Sequence, residues 1–137
     1  MIAQVQILEV RDVQDAQYKL RAARTEIIKQ ANEHCEGMVR RGGGCEGLRV
    51  RALGEGMLVV ELLVNVCDSM GANVVNTIAE AAAPFLIRVL GQGRAGIRIL
   101  SNLCTERLTM AEFRVPVKSM GWKGLEGSEV VARIIEA

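Results

Sequence analysis

The sequence is poor in aromatic and histidine side chains, and each shortage limits what the protein can do. Aromatic residues make up 3% of the chain, which leaves no row of rings on which single-stranded bases could stack. The only histidine is His34, which argues against a hydrolytic triad and against a histidine-rich metal site. Any catalysis would therefore depend on other groups.

An excess of charge of one sign is also lacking. The chain has 17 Lys and Arg residues against 16 Asp and Glu residues, and its formal net charge is +1. No global field draws such a chain to nucleic acid or to an anionic membrane, so we expect neither partner. No apolar run approaches the roughly 20 residues of a membrane helix, and we therefore expect a soluble protein.

The cysteines form no Cys-x-x-Cys pair, which argues against a zinc site or any other bound metal. They could form disulfides in a secreted protein, or they could be reduced thiols in the cytoplasm. The second interpretation is favoured because Cys67 lies in an aliphatic run, and because Glu9 and Arg11 interrupt the start of the chain before a signal peptide could develop. We predict a cytoplasmic protein whose four thiols are reduced: Cys35, Cys45, Cys67 and Cys104.

The chain has enough apolar residues for one compact domain, since 50% of its 137 residues are hydrophobic. Apolar side chains that alternate with polar ones, or that run almost continuously, predict strands. Apolar side chains at helical spacing predict two long helices. The predicted strands are residues 3–10, 48–52, 57–67, 96–101 and 108–117, the predicted long helices are residues 16–39 and 70–90, and a further helix begins at residue 129.

The order of the first six elements is strand, helix, strand, strand, helix, strand. This order predicts an α+β fold of the ferredoxin-like kind, in which two helices pack on one face of an antiparallel sheet. The strand at 108–117 and the start of the last helix are extra C-terminal elements. The fold alone does not assign a function.

Residues 65–76, NVCDSMGANVVN, are the most informative stretch, because a buried strand passes directly into a helix through a polar turn that contains Gly71. The free N–H groups at a helix start favour phosphate, and a glycine there lets a pyrophosphate approach the backbone. The alternative is purely structural: Asp68 or Ser69 caps the helix, Gly71 makes a packing contact, and the asparagines lie on a solvated face.

The run DSMGANVVNTIAEAAAPFL, which begins at Asp68, closely resembles the small coenzyme-binding domain of class II 3-hydroxy-3-methylglutaryl-coenzyme A (HMG-CoA) reductases. The opening AQVQI, the GGGC at residues 42–45 and the RILSNL at residues 98–103 extend the resemblance over nearly the whole chain. Ser69 departs from the family motif, which has alanine at that position. A hydroxyl at a helix start can act as a cap or meet a phosphate, so the departure weakens the match little.

The resemblance implies a ferredoxin-like NAD(H)- or NADP(H)-binding domain over residues 1–118, followed by a loop and helix at 119–137 that lead toward a large domain. It also implies an oxidoreductase that uses two hydride transfers to convert HMG-CoA to mevalonate and coenzyme A, or the reverse. The family's catalytic groups have no matching positions here, so the chain alone would be inactive. A homodimer or higher homo-oligomer would form through the large domain.

The resemblance assigns roles to particular residues. The implied coenzyme-binding residues are Asp68, Ser69, Met70, Gly71 and Asn73. Asn102 aligns with a family residue that reaches the acyl end of the substrate, although it could equally be a turn residue at a strand end.

Coenzyme choice is addressed by three further residues. Some members that use NADH carry an aspartate where this chain has Cys35, and a thiol cannot hold a ribose diol as a carboxylate does. Arg40 and Arg41 lie close by, and their guanidinium groups suit a 2′-phosphate, which leads to the hypothesis that NADPH is tolerated or preferred. Otherwise both arginines simply belong to a solvated helix end.

The rival interpretation of the whole chain is a freestanding ferredoxin-like module for ligand binding or oligomerisation.

Overall fold

The computed structural model describes all residues from Met1 to Ala137 and contains one four-stranded antiparallel sheet with five helices. The α+β class is as predicted. The strands are β1 (Ile2–Leu8), β2 (Gly44–Gly54), β3 (Met57–Asn65) and β4 (Arg94–Leu100). The helices are α1 (Val13–Ala22), α2 (Arg24–Glu33), α3 (Glu36–Val39), α4 (Ala72–Leu90) and α5 (Gly127–Glu136), and a 3-10 helix spans Val117–Met120.

The strands lie in the order β2-β3-β1-β4, so the two central strands are β3 and β1. Antiparallel register places Ala3 opposite Leu62 on β3 and opposite Leu100 on β4. Alternate side chains of a strand point to opposite faces, and Ala3, Val5 and Ile7 are completely buried on the face that the helices cover. The core is therefore a single aliphatic layer between the sheet and the helices.

The other face of the sheet carries no helix, and a polar network crosses it. Glu61 on β3 is buried, and one of its carboxylate oxygens accepts hydrogen bonds from both Nε and Nη2 of Arg51, at 3.0 and 2.6 Å. Gln4 on β1 donates to the same oxygen at 3.1 Å. Partners on both neighbouring strands thus compensate a carboxylate that burial would otherwise destabilise.

The prediction of one helix over residues 16–39 is wrong, because the segment forms α1, α2 and α3. Asp12 caps α1 by accepting the N–H of Asp15 at 2.9 Å, and the chain bends at Ala23 and again at Cys35. The bend at Ala23 falls between good helix formers, so propensity alone does not reveal it. Bending lets α2 contact both α4 and β2.

The extra strand predicted at 108–117 does not form. Its apolar side chains alternate, but they are exposed and pair with no other strand, as Met110 and Phe113 show at 91% and 82% exposure. A strand needs a partner for its backbone groups, and none is available to this segment within the chain. The helix predicted from residue 129 is present as α5.

One helix contradicts the expectation that no segment is long and apolar enough to span a membrane. By length and composition alone α4 could do so. In the structure the apolar face of α4 is part of the core, since its residues Val75, Ile78 and Leu86 are completely buried. The packing is that of a core helix against a sheet.

Candidate functional site

A groove of about 460 Å³ lies between the start of α4 and the short helix α3. One wall is the turn that follows β3, and the other is the segment that links α2 to β2. Six of the eight sequence-predicted coenzyme residues line this groove together, although more than 25 positions separate the two walls in sequence: Cys35, Arg41, Ser69, Met70, Gly71 and Asn73. The volume is sufficient for part of a nucleotide.

The turn after β3 is folded by its own side chains. Asn65 Oδ1 accepts the N–H of Cys67 at 3.0 Å, and Cys67 takes a left-handed backbone conformation with φ of 49°. The Ser69 hydroxyl donates to the carbonyl oxygen of Val66 at 2.7 Å. Ser69 therefore stabilises the turn and does not cap the helix.

The N-cap of α4 is Gly71, which contradicts the prediction that Asp68 or Ser69 caps this helix. Because glycine has no side chain to accept a hydrogen bond, the first turn lacks a side-chain cap. The backbone N–H groups of Ala72, Asn73 and Val74 have no partner within the chain. All three residues line the groove, where free N–H groups and the positive end of a 19-residue helix favour an anion.

Gly71 is required by its surroundings as well as by its conformation. Its φ is 79°, and a β-carbon would lie 2.6 Å from Cγ1 of Val66 and 2.9 Å from Sδ of Met1. The missing β-carbon would thus point at Val66, not into open groove. Close packing of the turn explains this glycine more directly than the approach of a pyrophosphate does.

The second wall carries the positive charge of the groove. Arg41 lines the groove and forms no ion pair. Arg40 also forms no ion pair, but it lies in a separate depression with Lys29, Glu33 and Glu36. The structure therefore separates two adjacent arginines that the sequence treats alike.

Contacts with the end of β3 hold this second wall in place. The thiol of Cys67 donates to the carbonyl oxygen of Arg41 at 3.6 Å. A β-carbon at Gly43 would lie 2.5 Å from the carbonyl oxygen of Asn65 and 2.7 Å from Sγ of Cys67, so the glycine allows the two backbones to approach closely. Both walls of the groove are consequently attached to one strand end.

Cys35 is one of the groove-lining residues and is buried, with 6% of the residue exposed. Its Sγ donates to the carbonyl oxygen of Ala31 at 3.7 Å, and burial raises the pKa of this thiol. Burial likewise raises the pKa of Cys45 to about 11. Both thiols are therefore neutral at physiological pH and are poor nucleophiles.

Comparisons with known proteins agree on one family. The family model described as hydroxymethylglutaryl-coenzyme A reductase matches residues 1–137. The 3-hydroxy-3-methylglutaryl-coenzyme A reductase of Archaeoglobus fulgidus is 38% identical over the whole chain, which spans 31% of that relative. A probable reductase of Borreliella burgdorferi is 36% identical over 72% of this chain and 23% of its own length.

Solved structures give the same result. The class II reductase of Streptococcus pneumoniae, bound to NADPH in open conformations, is 37% identical, has a TM-score of 0.73 and matches 77% of this chain and 29% of its own. A second structure of the S. pneumoniae reductase has a TM-score of 0.72 over 77% of this chain and 25% of its own. The chain belongs to the HMG-CoA reductase family.

The chain spans about a third or less of the length of these HMG-CoA reductases. Within this part of a reductase, Asn102 lies outside the groove, exposed in the loop after β4. Ser101 N–H donates to the carbonyl oxygen of Ile2 at 2.8 Å, which places the end of β4 beside the start of β1. Because β1 lies between β4 and β3, Asn102 is about two strand spacings, or roughly 10 Å, from the end of β3.

Two of the eight predicted coenzyme residues lie apart from the groove lining, namely Asp68 and Arg40. Asp68 is exposed, and its carboxylate accepts no hydrogen bond within the chain. Sequence reasoning also missed groove residues in α3, above all Gly37 and Met38. Gly37 was the available signal, because a glycine between Cys35 and Met38 weakens a continuous helix.

Proposed function

We propose that this chain is the coenzyme-binding domain of an HMG-CoA reductase. The oxidoreductase would convert HMG-CoA and two NAD(P)H to mevalonate and coenzyme A, or catalyse the reverse. The observation that carries the proposal is the groove, where uncapped N–H groups of α4 and the unpaired Arg41 face the same space. The 37% identity to a reductase bound to NADPH supports the dinucleotide as the anion.

The proposed fold is the ferredoxin-like sandwich expected from the sequence. The strand order β2-β3-β1-β4 and the helices α1, α2 and α4 on one face support it. In this arrangement the turn after β3 and the loop after β4 lie at the same end of the sheet. A ligand that enters the groove can therefore extend toward Asn102, which we propose contacts the acyl end of the substrate.

The groove residues fit a nicotinamide dinucleotide. The N–H groups of residues 72–74 would bind the pyrophosphate, and Ser69, Met70, Gly71 and Asn73 would line its path. Asp68, the remaining residue of the motif, lies in the same turn with its side chain exposed. Bound coenzyme would supply the hydride, whereas this chain would bind and orient the coenzyme.

The groove offers no carboxylate, imidazole or amine for proton transfer, and burial keeps its one thiol, that of Cys35, neutral. Its lining contains no aspartate, glutamate, histidine or lysine. General acid or base catalysis needs such a side chain within hydrogen-bond reach of the reacting atoms. We therefore propose that the chain does not turn over substrate alone, and that catalytic groups come from outside these residues.

NADPH is the coenzyme that the groove favours. Cys35 presents a buried neutral thiol where a carboxylate would repel a 2′-phosphate, and Arg41 offers a free guanidinium on the same wall. Arg40 faces a different depression, which holds Glu33 and Glu36. Of the two arginines, Arg41 is therefore the one we assign to the 2′-phosphate.

Calorimetric titration of this chain with NADPH and NADH tests the proposal, with Arg41→Ala and Arg40→Ala as a matched pair. We expect NADPH to bind more tightly than NADH. Arg41→Ala should weaken NADPH binding about tenfold, because it removes a charge-assisted hydrogen bond, and should leave NADH nearly unchanged. Arg40→Ala should change neither affinity by more than about twofold.

A chain that binds neither coenzyme would contradict the proposed function. Equal effects of the two arginine variants would instead contradict only the assignment of Arg41. A response of NADH to Arg41→Ala as large as that of NADPH would show that the guanidinium binds the pyrophosphate.

We further propose that residues 119–137 lead into a large domain, that homo-oligomers form through that domain, and that the protein is cytoplasmic. The helix α5 exposes Ile134 and Ile135, and its main contact with another element is with the 3-10 helix before it, which supports a missing packing partner. The same exposed residues favour the second candidate, a freestanding oligomerisation module. Sedimentation separates the two, because only the module should form a stable oligomer of defined size without other protein.

The cytoplasmic location is supported by the cysteines. All four are free, which is consistent with a reducing compartment.

A further inference from the structure

The side-chain amide of Asn32, in the last turn of α2, binds both backbone groups of a single residue on β2. Its Oδ1 accepts the N–H of Cys45 at 2.7 Å, and its Nδ2 donates to the carbonyl oxygen of Cys45 at 3.0 Å. Space around the amide is tight, because a β-carbon at Gly44 would lie 2.6 Å from Oδ1. This pair of bonds joins α2 to the start of β2 as a backbone bridge would.

The two bonds close a loop that contains the whole second wall of the groove. Between Asn32 and Cys45 lie Cys35, α3, Arg41 and three consecutive glycines. Glycines leave the backbone unusually free, so this segment depends on contacts at its ends to hold one conformation. The Asn32 amide fixes the base of the loop, and the thiol of Cys67 fixes the carbonyl group of Arg41.

We propose that Asn32 is a positioning residue for coenzyme selectivity, an inference that rests on the proposed function. Asn32 is absent from the groove lining and acts through residues that belong to it. Its Oδ1 accepts from Sγ of Cys35 at 3.6 Å, and its bonds to Cys45 hold the loop that carries Arg41. Loss of its amide would leave both backbone groups of Cys45 without their partner and free the glycine-rich loop. Arg41 would then lose its fixed place opposite α4, while the N–H groups of residues 72–74 would remain where they are.

The expected consequence is specific, because the two walls contact different parts of the coenzyme. NADPH and NADH share the pyrophosphate, which we assign to α4, and differ in the 2′-phosphate, which we assign to Arg41. Release of the loop should therefore reduce the preference for NADPH over NADH, whereas binding of NADH should change little. A residue with a purely structural role would weaken both coenzymes alike.

Asn76 provides a matched control on another helix. It is half-buried like Asn32, and its Oδ1 accepts the N–H of Leu100 on β4 at 2.8 Å. Asn76→Ala removes a bond of the same kind but leaves the 33–44 loop untouched. Urea unfolding and calorimetric titration with NADPH and NADH would be compared for wild type, Asn32→Ala and Asn76→Ala.

We expect both variants to be destabilised, and we expect only Asn32→Ala to lower the ratio of NADH to NADPH dissociation constants, by roughly tenfold. An unchanged ratio in a folded Asn32→Ala chain would overturn the inference, as would an equal change in Asn76→Ala. If Asn32→Ala does not fold, Asn32→Ser applies the same test, since it keeps a small uncharged polar side chain but cannot bond both backbone groups of Cys45.

The outcomes distinguish a failure of this inference from a failure of the proposed function on which it rests. A wild-type chain that prefers NADPH through Arg41, with an unaltered preference in the Asn32 variants, would leave the proposed function intact and overturn the positioning role. A wild-type chain that binds neither coenzyme would overturn both.

Discussion

Gly71 combines two separate requirements, and a pair of glycine-to-alanine variants can measure them. Its φ of 79° is left-handed, and a β-carbon would lie 2.6 and 2.7 Å from two side-chain atoms of Val66. Gly91, at the other end of the same helix, has a similar φ of 66°, yet a β-carbon there would meet nothing within 4 Å. Gly91→Ala therefore imposes backbone strain alone, and Gly71→Ala imposes strain and collision together.

The magnitudes follow from these two contributions. A left-handed conformation costs an alanine roughly 1–2 kcal/mol relative to glycine. Excess atoms in a packed site cost about 1–3 kcal/mol more, because Val66 is 4% exposed and belongs to the core. We expect Gly91→Ala to lower the free energy of unfolding by about 1–2 kcal/mol, and Gly71→Ala by about 2–5 kcal/mol.

Urea unfolding followed by circular dichroism measures both changes. Adding Val66→Gly to Gly71→Ala should relieve the collision, because both Val66 atoms nearest the new methyl group, Cβ and Cγ1, belong to the side chain that the second change removes. The double variant should therefore be less destabilised than the sum of its single changes. The reasoning is refuted if Gly71→Ala is no more destabilising than Gly91→Ala, or if the two changes at residues 66 and 71 are simply additive.

The cysteines yield the remaining predictions. An aromatic disulfide reagent at pH 8 should modify Cys104 and Cys67, which are exposed and half-buried, and should reach Cys35 and Cys45 only in denaturant; four rapidly reacting thiols in the folded protein would contradict the structure. The pKa of Cys45 rises from an ordinary 9.0 to about 11 on folding, so above pH 9 the unfolded chain loses this proton first and stability falls as the pH approaches 11. Two pKa units correspond to about 2–3 kcal/mol, and Cys45→Ala should abolish that part of the alkaline loss in urea unfolding at pH 8 and pH 10.5. An identical alkaline loss in Cys45→Ala would assign it to other groups.

Predictions from the sequence are confirmed for the segments whose apolar pattern fits only a buried strand. β1 and β3 are central strands, and their long alternating or continuous apolar runs leave no alternative to burial. The start of α4 was misjudged by two residues because Asp68 and Ser69 are good N-caps by type, whereas Ser69 instead bonds the carbonyl oxygen of Val66. The sequence does not show whether the Ser69 hydroxyl bonds the start of α4 or the carbonyl oxygen of Val66, because the choice depends on the geometry of the turn.

The failures have a different origin. The segment at 108–117 has the period of a strand, but periodicity states only which side chains share a face, not whether a neighbouring strand exists. The bends at Ala23 and Cys35 likewise depend on packing of α2 against α4 and β2, which are distant in sequence. The site shows the same limit. Nearness to Cys35 in sequence predicts both Arg40 and Arg41 beside the coenzyme, whereas the structure places only Arg41 in the groove and Arg40 in a separate depression.

The end of β3 relates the stability of the fold to the shape of the site. One groove wall depends on it through Ser69 and Gly71, both of which contact Val66. The other depends on it through Gly43, which packs on Asn65, and through the bond from Cys67 to the carbonyl oxygen of Arg41. Because β3 is a central strand with neighbours on both sides, residues 65–67 are held in place by the most firmly paired part of the sheet. The distance between the uncapped helix start and Arg41 is therefore set by three consecutive backbone positions, so that the groove keeps its width although one of its walls is a glycine-rich loop.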